Sequence, residues 1–404
     1  MSEESPTLGD LIRRFGPALR ESRGARMTTA QEAVLETLGR CHTAALGGHL
    51  YRCDACGVER VAYNGCGNRH CPSCLGHKSA AWLEARQKEL LPVPYFHVVF
   101  TVPQEIAALG LGNKKEIYSV LFRAVAETLT ELAADARHLG AEIGFLAILH
   151  TWTQTLLFHP HVHCVVPGGG LSLDGTKWVA SRARFFLAVR VLSRLYRGKF
   201  LAFLDEANRA GRLQFAGSTL ALGEPRQWAR FLHEQRSKEW VVYAKPPFGS
   251  PEQVLKYLAR YTHRVAISDR RLLSVTGDEV CFRYRDRAPG DAVRTMRLDG
   301  VEFLRRFLLH VLPTHFVRIR YFGFLANRSR QSKLALCRSL LGAAATAPVV
   351  NVNQAPAITS AAAEDRAALE CPICHKGRMQ WCGEVLPDPV VRVTPQRSVQ
   401  RDTS

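Results

Sequence analysis

The feature that most constrains the fold is a pair of closely spaced cysteine knuckles near the N-terminus. Cys53 and Cys56 form one C-x-x-C pair, and Cys71 and Cys74 form a second. Two such pairs at this separation are typical of a tetrahedral structural Zn²⁺ site. The sequence therefore predicts that the first part of the chain folds around one zinc ion that these four cysteines hold.

Other potential metal ligands surround these knuckles. A second zinc ion, or exchange with the first set, could involve the remaining residues of the segment: Cys41, His49, Cys66, His70 and His77. A further pair, Cys371 and Cys374, lies near the C-terminus and is by itself half of a site. Its completion could come from three residues: Cys382, Cys337 or His375. The clustering of cysteines, without a recognisable secretory signal, indicates metal binding in a reducing cytoplasm rather than disulfides.

The charge balance points to nucleic acid as the partner. The 404 residues include 54 Lys and Arg against 36 Asp and Glu, which gives a formal net charge of +18. Neutralisation of phosphates is the default explanation for such an excess. No apolar segment is long enough for a membrane span, so a membrane surface is the weaker alternative.

A second constellation lies in the middle of the chain. His161 and His163 flank a valine in a segment that has the pattern of a β-strand. Residues two apart on a strand face the same side, so the two imidazoles form a platform for a metal ion. Gln154, on the preceding predicted strand, faces the same side if the loop between the strands has an even number of residues. This set suits Mg²⁺ or Mn²⁺ with open positions for phosphate oxygens.

Two tyrosines follow on a predicted basic helix. Tyr257 and Tyr261 are four residues apart and share one helix face, beside Lys256, Arg260 and Arg264. A tyrosine hydroxyl is a weak nucleophile while it is protonated, and nearby cations favour the phenolate. The alternative is an amphipathic helix that buries both rings. Together with the histidine strand and the charge, the pattern favours attack of a tyrosine on metal-activated DNA phosphate.

The composition predicts three consecutive domains. Residues 1–91 form an N-terminal helical and zinc-binding domain that docks on DNA, to which Arg69 contributes a positive charge. Residues 92–327 predict an α+β domain with a central antiparallel sheet and flanking helices. Residues 328–404 contain a basic helix, an Ala/Pro-rich linker, a cysteine knuckle and a disordered tail.

These motifs together resemble the two-tyrosine transposases of the rolling-circle insertion-sequence family, within the HUH endonuclease superfamily (U denotes a hydrophobic residue). The resemblance is carried by four segments in this order: AALGGH at 44–49, NRHCPSC at 68–74, HPHVHCVVPGGG at 159–170 and YLARYTHR at 257–264. It implies an N-terminal zinc-binding domain and a central nickase domain of HUH type.

The resemblance also implies an activity and roles for individual residues. By position, His161 and His163 are implied to bind the catalytic ion, and Tyr257 and Tyr261 to attack DNA. The implied reaction is cleavage and rejoining of single-stranded DNA at the element ends through 5′-phosphotyrosine intermediates. The sequence shows no helicase domain, so we expect host helicase or replication proteins to unwind the DNA.

Two other functions remain open from the sequence. A plasmid replication initiator or relaxase would share the histidine strand, but not the cysteine-rich N-terminal module. A zinc-dependent DNA-binding protein without catalysis would share the cysteines and the charge. A metal-dependent nicking assay on single-stranded oligonucleotides separates catalysis from binding.

Overall fold

The computed structural model describes residues 6–23, 26–182, 186–245, 253, 266–286, 292–342 and 369–388. The chain divides into two compact units. The first unit consists of Met1–Gly76, Ile267–Leu308 and Pro348–Ser404, and the second of His77–Ala266 and Leu309–Ala347. Within the described part of the chain, none of the helices has both the length and the apolar character that a membrane crossing requires.

Helices and strands alternate along much of the chain. The helices are α1 (Leu8–Arg23), α2 (Thr29–Gly39), α3 (Pro72–Gln87), α4 (Gln104–Gly112), α5 (Lys114–Ala134), α6 (Val189–Arg209), α7 (Pro225–Ser237), α8 (Gly300–Leu308) and α9 (Arg330–Leu340). The strands are β1 (Gly48–Cys53), β2 (Glu59–Tyr63), β3 (Tyr95–Thr101), β4 (Ala141–Glu142), β5 (Gly144–Trp152), β6 (Phe158–Pro167), β7 (Gly169–Ser172), β8 (Trp178–Ala180), β9 (Val242–Lys245), β10 (Leu272–Thr276), β11 (Glu279–Arg285), β12 (Val293–Asp299), β13 (Ile319–Gly323), β14 (Leu369–Glu370) and β15 (Arg378–Val385).

The first unit contains a sheet built from both ends of the chain. Its strand order is β14-β15-β1-β2, and β1 pairs antiparallel with β2 on one side and with β15 on the other. Gly48 faces Tyr63 in one pairing and Val385 in the other. The C-terminal segment therefore completes a sheet that begins near the N-terminus.

Helices and a second sheet complete the first unit. The sheet has the order β10-β11-β12. Helix α1 buries an apolar face whose residues recur at helical spacing, and it packs against α2 and α8. At Gly300, the first residue of α8, a Cβ atom would lie 2.5 Å from the ring of Phe15, so only glycine permits this close approach. Thr28 and Gln31 form a capping box that starts α2.

The second unit is built around a five-stranded antiparallel sheet with the order β13-β5-β6-β3-β9. Its central strands β3, β5 and β6 are almost wholly buried. Helices α5 and α6 pack against each other and belong to the same apolar core as alternate residues of these strands. The sheet therefore has one face covered by a layer of helices.

The opposite face of this sheet has a different character. Part of it is apolar and belongs to a smaller cluster that includes Leu146, Ile148 and Val165, together with residues of α9. The strand alternation places a group of histidines on the same face: His97, His150, His161 and His163. These four histidines are thus held on a rigid, largely buried sheet.

The architecture confirms the predicted α+β class, with a central antiparallel sheet and flanking helices. The two units differ from the three consecutive domains predicted at 1–91, 92–327 and 328–404. Ile267–Leu308 and the C-terminal knuckle group with the N-terminal segment rather than with their neighbours in sequence. The reason is long-range strand and helix packing, as in the pairing of β15 with β1. The predicted linker and tail fall largely outside the described residues.

Candidate active site and metal centres

Three histidines converge at the β5–β6 hairpin. His150 lies directly opposite His161 on the antiparallel ladder, and His163 follows on the same face of β6. Directly opposed residues of antiparallel strands project to the same side of the sheet. The ligand nitrogens of the three imidazoles lie within 4.8 Å of one another. This arrangement can hold one metal ion through three nitrogen ligands.

Hydrogen bonds orient two of these imidazoles. Nδ1 of His161 lies 2.7 Å from the carbonyl oxygen of His159 and therefore donates its proton to that oxygen. Nδ1 of His163 lies 2.8 Å from Nε2 of His97, with the two ring planes within 2° of each other. In both residues Nε2 is then the nitrogen through which an ion would bind. Such partners fix the tautomer and the orientation of metal-binding histidines.

The turn between the two strands differs from the prediction for Gln154. Strand β5 ends at Trp152, and Gln154 lies in the turn rather than on the strand. The loop between Trp152 and Phe158 has five residues, an odd number, so the condition for a shared face is not met. The Thr153 hydroxyl accepts a hydrogen bond from the backbone amide of Leu157 and stabilises the turn. His150 shares the face of His161 and His163, whereas Gln154 lies in the turn.

A buried histidine, His310, contacts and stabilises this turn. The ring of His310 contacts the Thr151 hydroxyl through Nδ1 and the Leu156 carbonyl oxygen through Nε2, both at 3.1 Å. Leu156 has a φ of 64°, a left-handed conformation that a leucine rarely adopts. Burial lowers the pKa of His310 to about 3, so the ring is neutral and Nε2 donates to the carbonyl. His310 thus holds the strained turn beside the histidine cluster.

Four cysteines of the first unit form a compact cluster: Cys41, Cys66, Cys71 and Cys74. Sγ of Cys41 lies 3.5 Å from Sγ of Cys71 and of Cys74, and Sγ of Cys66 lies 3.8 Å from Sγ of Cys74. The edge of a tetrahedron of sulfurs around Zn²⁺, with bonds of about 2.3 Å, is about 3.8 Å. The cluster therefore fits a tetrahedral zinc ion.

A second cluster contains Cys53, Cys56, Cys371 and Cys374. Its Sγ–Sγ distances are 3.7 Å from Cys53 to Cys374 and 3.8 Å from Cys56 to Cys371. Backbone hydrogen bonds near the second knuckle lower the pKa of Cys374 to about 6, which favours its thiolate. All twelve cysteines lie among the described residues, and none forms a disulfide.

The structure corrects the predicted ligand set of one shared zinc ion. It separates Cys53 and Cys56, at the end of β1 and in the turn after it, from Cys71 and Cys74, which lie at the start of α3. Of the predicted candidates for a second ion, Cys41 and Cys66 join the first cluster, and His49 and His70 join neither. Likewise Cys382, Cys337 and His375 do not complete the C-terminal knuckle.

The remaining predicted site residues fall in two groups. Arg69 lies exposed beside the first cysteine cluster. The predicted nucleophiles Tyr257 and Tyr261, and the basic residues Lys256, Arg260 and Arg264, lie outside the described residues.

Sequence reasoning missed His150 and His97 as parts of the histidine site. Their signal was strand alternation, since His150 is two residues from Trp152 and has the same parity as Gln154.

Comparisons with known proteins agree with this architecture. A family model described as "Transposase zinc-binding domain" matches residues 11–102, and one described as "Putative transposase" matches residues 144–333. "Putative transposase y4qJ" of Sinorhizobium fredii is 53% identical over 94% of this chain and 95% of its own length. The transposase for insertion sequence element IS801 of Pseudomonas savastanoi pv. phaseolicola is 30% identical over 74% of this chain and 70% of its own length.

Solved structures are more distant. Two structures of the conjugative relaxase TrwC in complex with oriT DNA, one metal-free and one metal-bound, match with a TM-score of 0.23 each. They are 16% and 15% identical and cover 61% and 60% of this chain and 71% of the relaxase chain.

The two curated relatives and the two family models decide the assignment. The chain belongs to the rolling-circle insertion-sequence transposases that carry an N-terminal transposase zinc-binding domain. The matched zinc-binding domain includes all four residues of the first cysteine cluster but only Cys53 and Cys56 of the second.

Proposed function

We propose that the protein is an HUH-type nickase and strand transferase that cleaves single-stranded DNA at the ends of its element and rejoins it. The observation that carries the proposal is the convergence of His150, His161 and His163 on one face of a buried sheet. A site of this kind, on rigid strands of a strongly basic chain, suits work on phosphodiesters. A non-catalytic DNA-binding protein would not need it.

The three histidines would hold the catalytic divalent ion. When bound, the ion would polarise the scissile phosphate as a Lewis acid. Nitrogen ligands favour Mn²⁺ over Mg²⁺, because Mg²⁺ prefers oxygen ligands. His97 and the carbonyl oxygen of His159 keep His163 and His161 in the tautomer that presents Nε2.

The nucleophiles of the proposal are Tyr257 and Tyr261. The phenolic oxygen of one tyrosine attacks the scissile phosphorus and loses its proton, the bond from phosphorus to the 3′ oxygen breaks, and a free 3′ hydroxyl leaves. The resulting 5′-phosphotyrosine ester keeps the bond available for attack by another 3′ hydroxyl. With two tyrosines, one can hold a DNA end while the other is attacked, as successive strand transfers require.

The basic residues and the zinc-binding domain would bring the DNA to this site. Arg69 beside the first cysteine cluster, and Lys256, Arg260 and Arg264 beside the tyrosines, would contact phosphates. Zn²⁺ in the first cluster would keep the docking module folded. Host helicase or replication proteins would supply unwinding in the cytoplasm.

A nicking assay on single-stranded oligonucleotides that carry an element end tests the proposal. We expect cleavage only with a divalent ion and a covalent protein–DNA adduct on denaturing gels. The double substitution His161→Ala with His163→Ala should abolish cleavage and leave DNA binding nearly unchanged, since phosphate contacts elsewhere dominate affinity. His138→Ala is the matched control, because His138 is an exposed histidine of the same unit outside the cluster.

The outcomes separate the candidate functions. Undiminished cleavage by the double histidine variant would show that the metal site lies elsewhere. An adduct that persists after Tyr257→Phe with Tyr261→Phe would place the nucleophile on another residue. Tight DNA binding without cleavage under any metal ion would favour a non-catalytic zinc-dependent binding protein.

A further inference from the structure

The second cysteine cluster joins two parts of the chain that are far apart in sequence. Cys56 and Cys371 are separated by 315 positions, yet their sulfurs lie 3.8 Å apart. Cys53 is the last residue of β1 and Cys56 lies in the turn that follows it, whereas Cys371 and Cys374 lie between β14 and β15. Two knuckles from opposite ends of the chain thus face each other.

Two hydrogen bonds between Asp54 and Arg378 hold the two knuckles together. The amide of Arg378 donates to Oδ1 of Asp54 at 2.8 Å, and the amide of Asp54 donates to the carbonyl oxygen of Arg378 at 3.1 Å. A Cβ atom on Gly377 would lie 2.6 Å from Sγ of Cys53 and from Oδ1 of Asp54. The second knuckle can approach this closely only because that position is glycine.

The surroundings of the sulfurs suit a partly buried structural ion. Cys53 and Cys371 are 2% and 0% exposed and pack with Met379 and Tyr51, whereas Cys374 is half-buried and Cys56 is exposed. The backbone amide of Cys56 lies 3.5 Å from Sγ of Cys53, and that of Gly377 lies 3.4 Å from Sγ of Cys374. Amides directed at sulfur stabilise thiolates, as in zinc knuckles. The separations of 3.7 and 3.8 Å match tetrahedral zinc and greatly exceed a disulfide bond of about 2.05 Å.

We propose that Cys53, Cys56, Cys371 and Cys374 form a second structural zinc site that fastens the C-terminal segment 369–388 to the N-terminal sheet. The site extends beyond the matched zinc-binding domain at residues 11–102, because half of its ligands come from the C-terminal knuckle. Zinc at this site holds β15 on the edge of β1. The N-terminal unit is therefore complete only with the far end of the chain.

Zinc stoichiometry of the full-length protein provides the first test. Protein purified without chelator should contain two zinc ions per chain by elemental analysis. The double variant Cys371→Ser with Cys374→Ser should contain one. Cys382→Ser is the matched control, since Cys382 is an exposed cysteine on the same hairpin that joins neither cluster, and this variant should keep two ions. Cys41→Ser with Cys66→Ser should lose the other ion.

Hydrogen exchange provides a readout that does not depend on activity. In the Cys371→Ser, Cys374→Ser variant, the amides of β1 that pair with β15 should lose protection, whereas the amides of β5 and β6 should keep it. If the serine variant unfolds more widely, Cys374→His replaces it. This change keeps a zinc ligand at the position, so both ions and the protection of β1 should return.

The contrary results are equally specific. One zinc ion in the wild-type protein would overturn the proposal, as would two ions in the double serine variant. Loss of an ion from Cys382→Ser would show that Cys382 is a zinc ligand and would contradict the proposed ligand set. Failure of Cys374→His to restore the second ion, in a protein whose β5 and β6 amides stay protected, would also overturn it.

Discussion

The histidine cluster and the two cysteine clusters each bring three or four potential metal ligands together, but different structural elements supply them. The three histidines lie on two adjacent strands of one hairpin, where the backbone ladder places them whether or not an ion is bound. The cysteines come from strand ends, turns and helix starts that lie far apart in the sequence. A strand ladder preorganises the first site, whereas we expect the cysteine-rich segments to need their ions in order to stay together. We therefore expect an ion at the histidine cluster to exchange without unfolding its sheet, and zinc at the cysteine clusters to be needed for folding.

Removal of metal should give the largest effect, and it should unfold one region while the other stays folded. Strong chelation should unfold the cysteine-rich part of the first unit, because binding of structural zinc is worth about 10–16 kcal/mol per ion in small zinc modules. The sheet of the second unit should stay folded. Hydrogen exchange with and without chelator measures this difference. Equal loss of protection in both units would show that the two regions do not differ as we infer.

Substitution of a histidine should affect catalysis far more than folding. His150→Ala removes one of the three ligands that we propose, and cleavage should fall by at least about 100-fold at fixed Mn²⁺. Gln154→Ala, in the neighbouring turn, is the matched variant and should change cleavage far less than His150→Ala does. Rates across a Mn²⁺ titration, with thermal unfolding as a stability control, test the pair. The reverse order of effects would restore Gln154 as the third ligand.

Loss of the partner of His163 should have a smaller effect. His97→Ala removes the hydrogen bond to Nδ1 of His163, and metal affinity should fall about 10- to 100-fold, as for other partners of metal ligands. Saturating Mn²⁺ should restore most of the maximal rate. His97→Gln should recover part of the affinity, because its amide oxygen can accept the same proton. A loss of maximal rate that Mn²⁺ cannot restore would indicate a direct role in the reaction.

The smallest effect should appear as a dependence of stability on pH. Burial lowers the pKa of His310 to about 3 from 6.5, so the unfolded chain binds this proton more readily than the folded one. The contribution is fully present above pH 6.5 and is lost as the pH falls toward 3. From pH 7 to pH 5 this residue alone should cost about 2 kcal/mol of unfolding free energy. His310→Gln should flatten that part of the profile, as denaturant unfolding of both proteins can measure. Identical slopes would show that His310 does not titrate as described.

Local patterns in the sequence predicted much of the second unit. The central antiparallel sheet with flanking helices was predicted, and β6 lies where the pattern around His161 and His163 indicated a strand. The shared face of His161 and His163 follows from strand periodicity alone. The place of His150 beside them was not predicted, because it depends on where β5 ends and on the odd length of the turn. The turn contains the hydrogen bond from the Leu157 amide to the Thr153 hydroxyl and the contact of His310 with the Leu156 carbonyl oxygen, and the second of these joins residues 154 positions apart.

The partnership of the cysteine knuckles could not be read from their spacing. Each C-x-x-C pair marks half of a site, and the sequence does not state which halves combine. The spacing predicted that Cys53 and Cys56 share an ion with the nearest knuckle in the sequence, whereas the structure groups them with a knuckle beyond the Ala/Pro-rich segment. The antiparallel pairing of β1 with β15 brings these two knuckles together. Strand pairing over such a distance leaves no local signal.

The pairing of β1 with β15 also sets an order of events during synthesis. Cys56 leaves the ribosome 315 residues before Cys371. At about 5–20 residues per second, this interval is roughly 15–60 s. During that time the N-terminal knuckle has neither its two partner thiolates nor the strand that covers β1. A chain that stops early, through a frameshift or a nonsense codon, never completes its first unit. The fold therefore lets only a nearly finished copy of the protein assemble that unit.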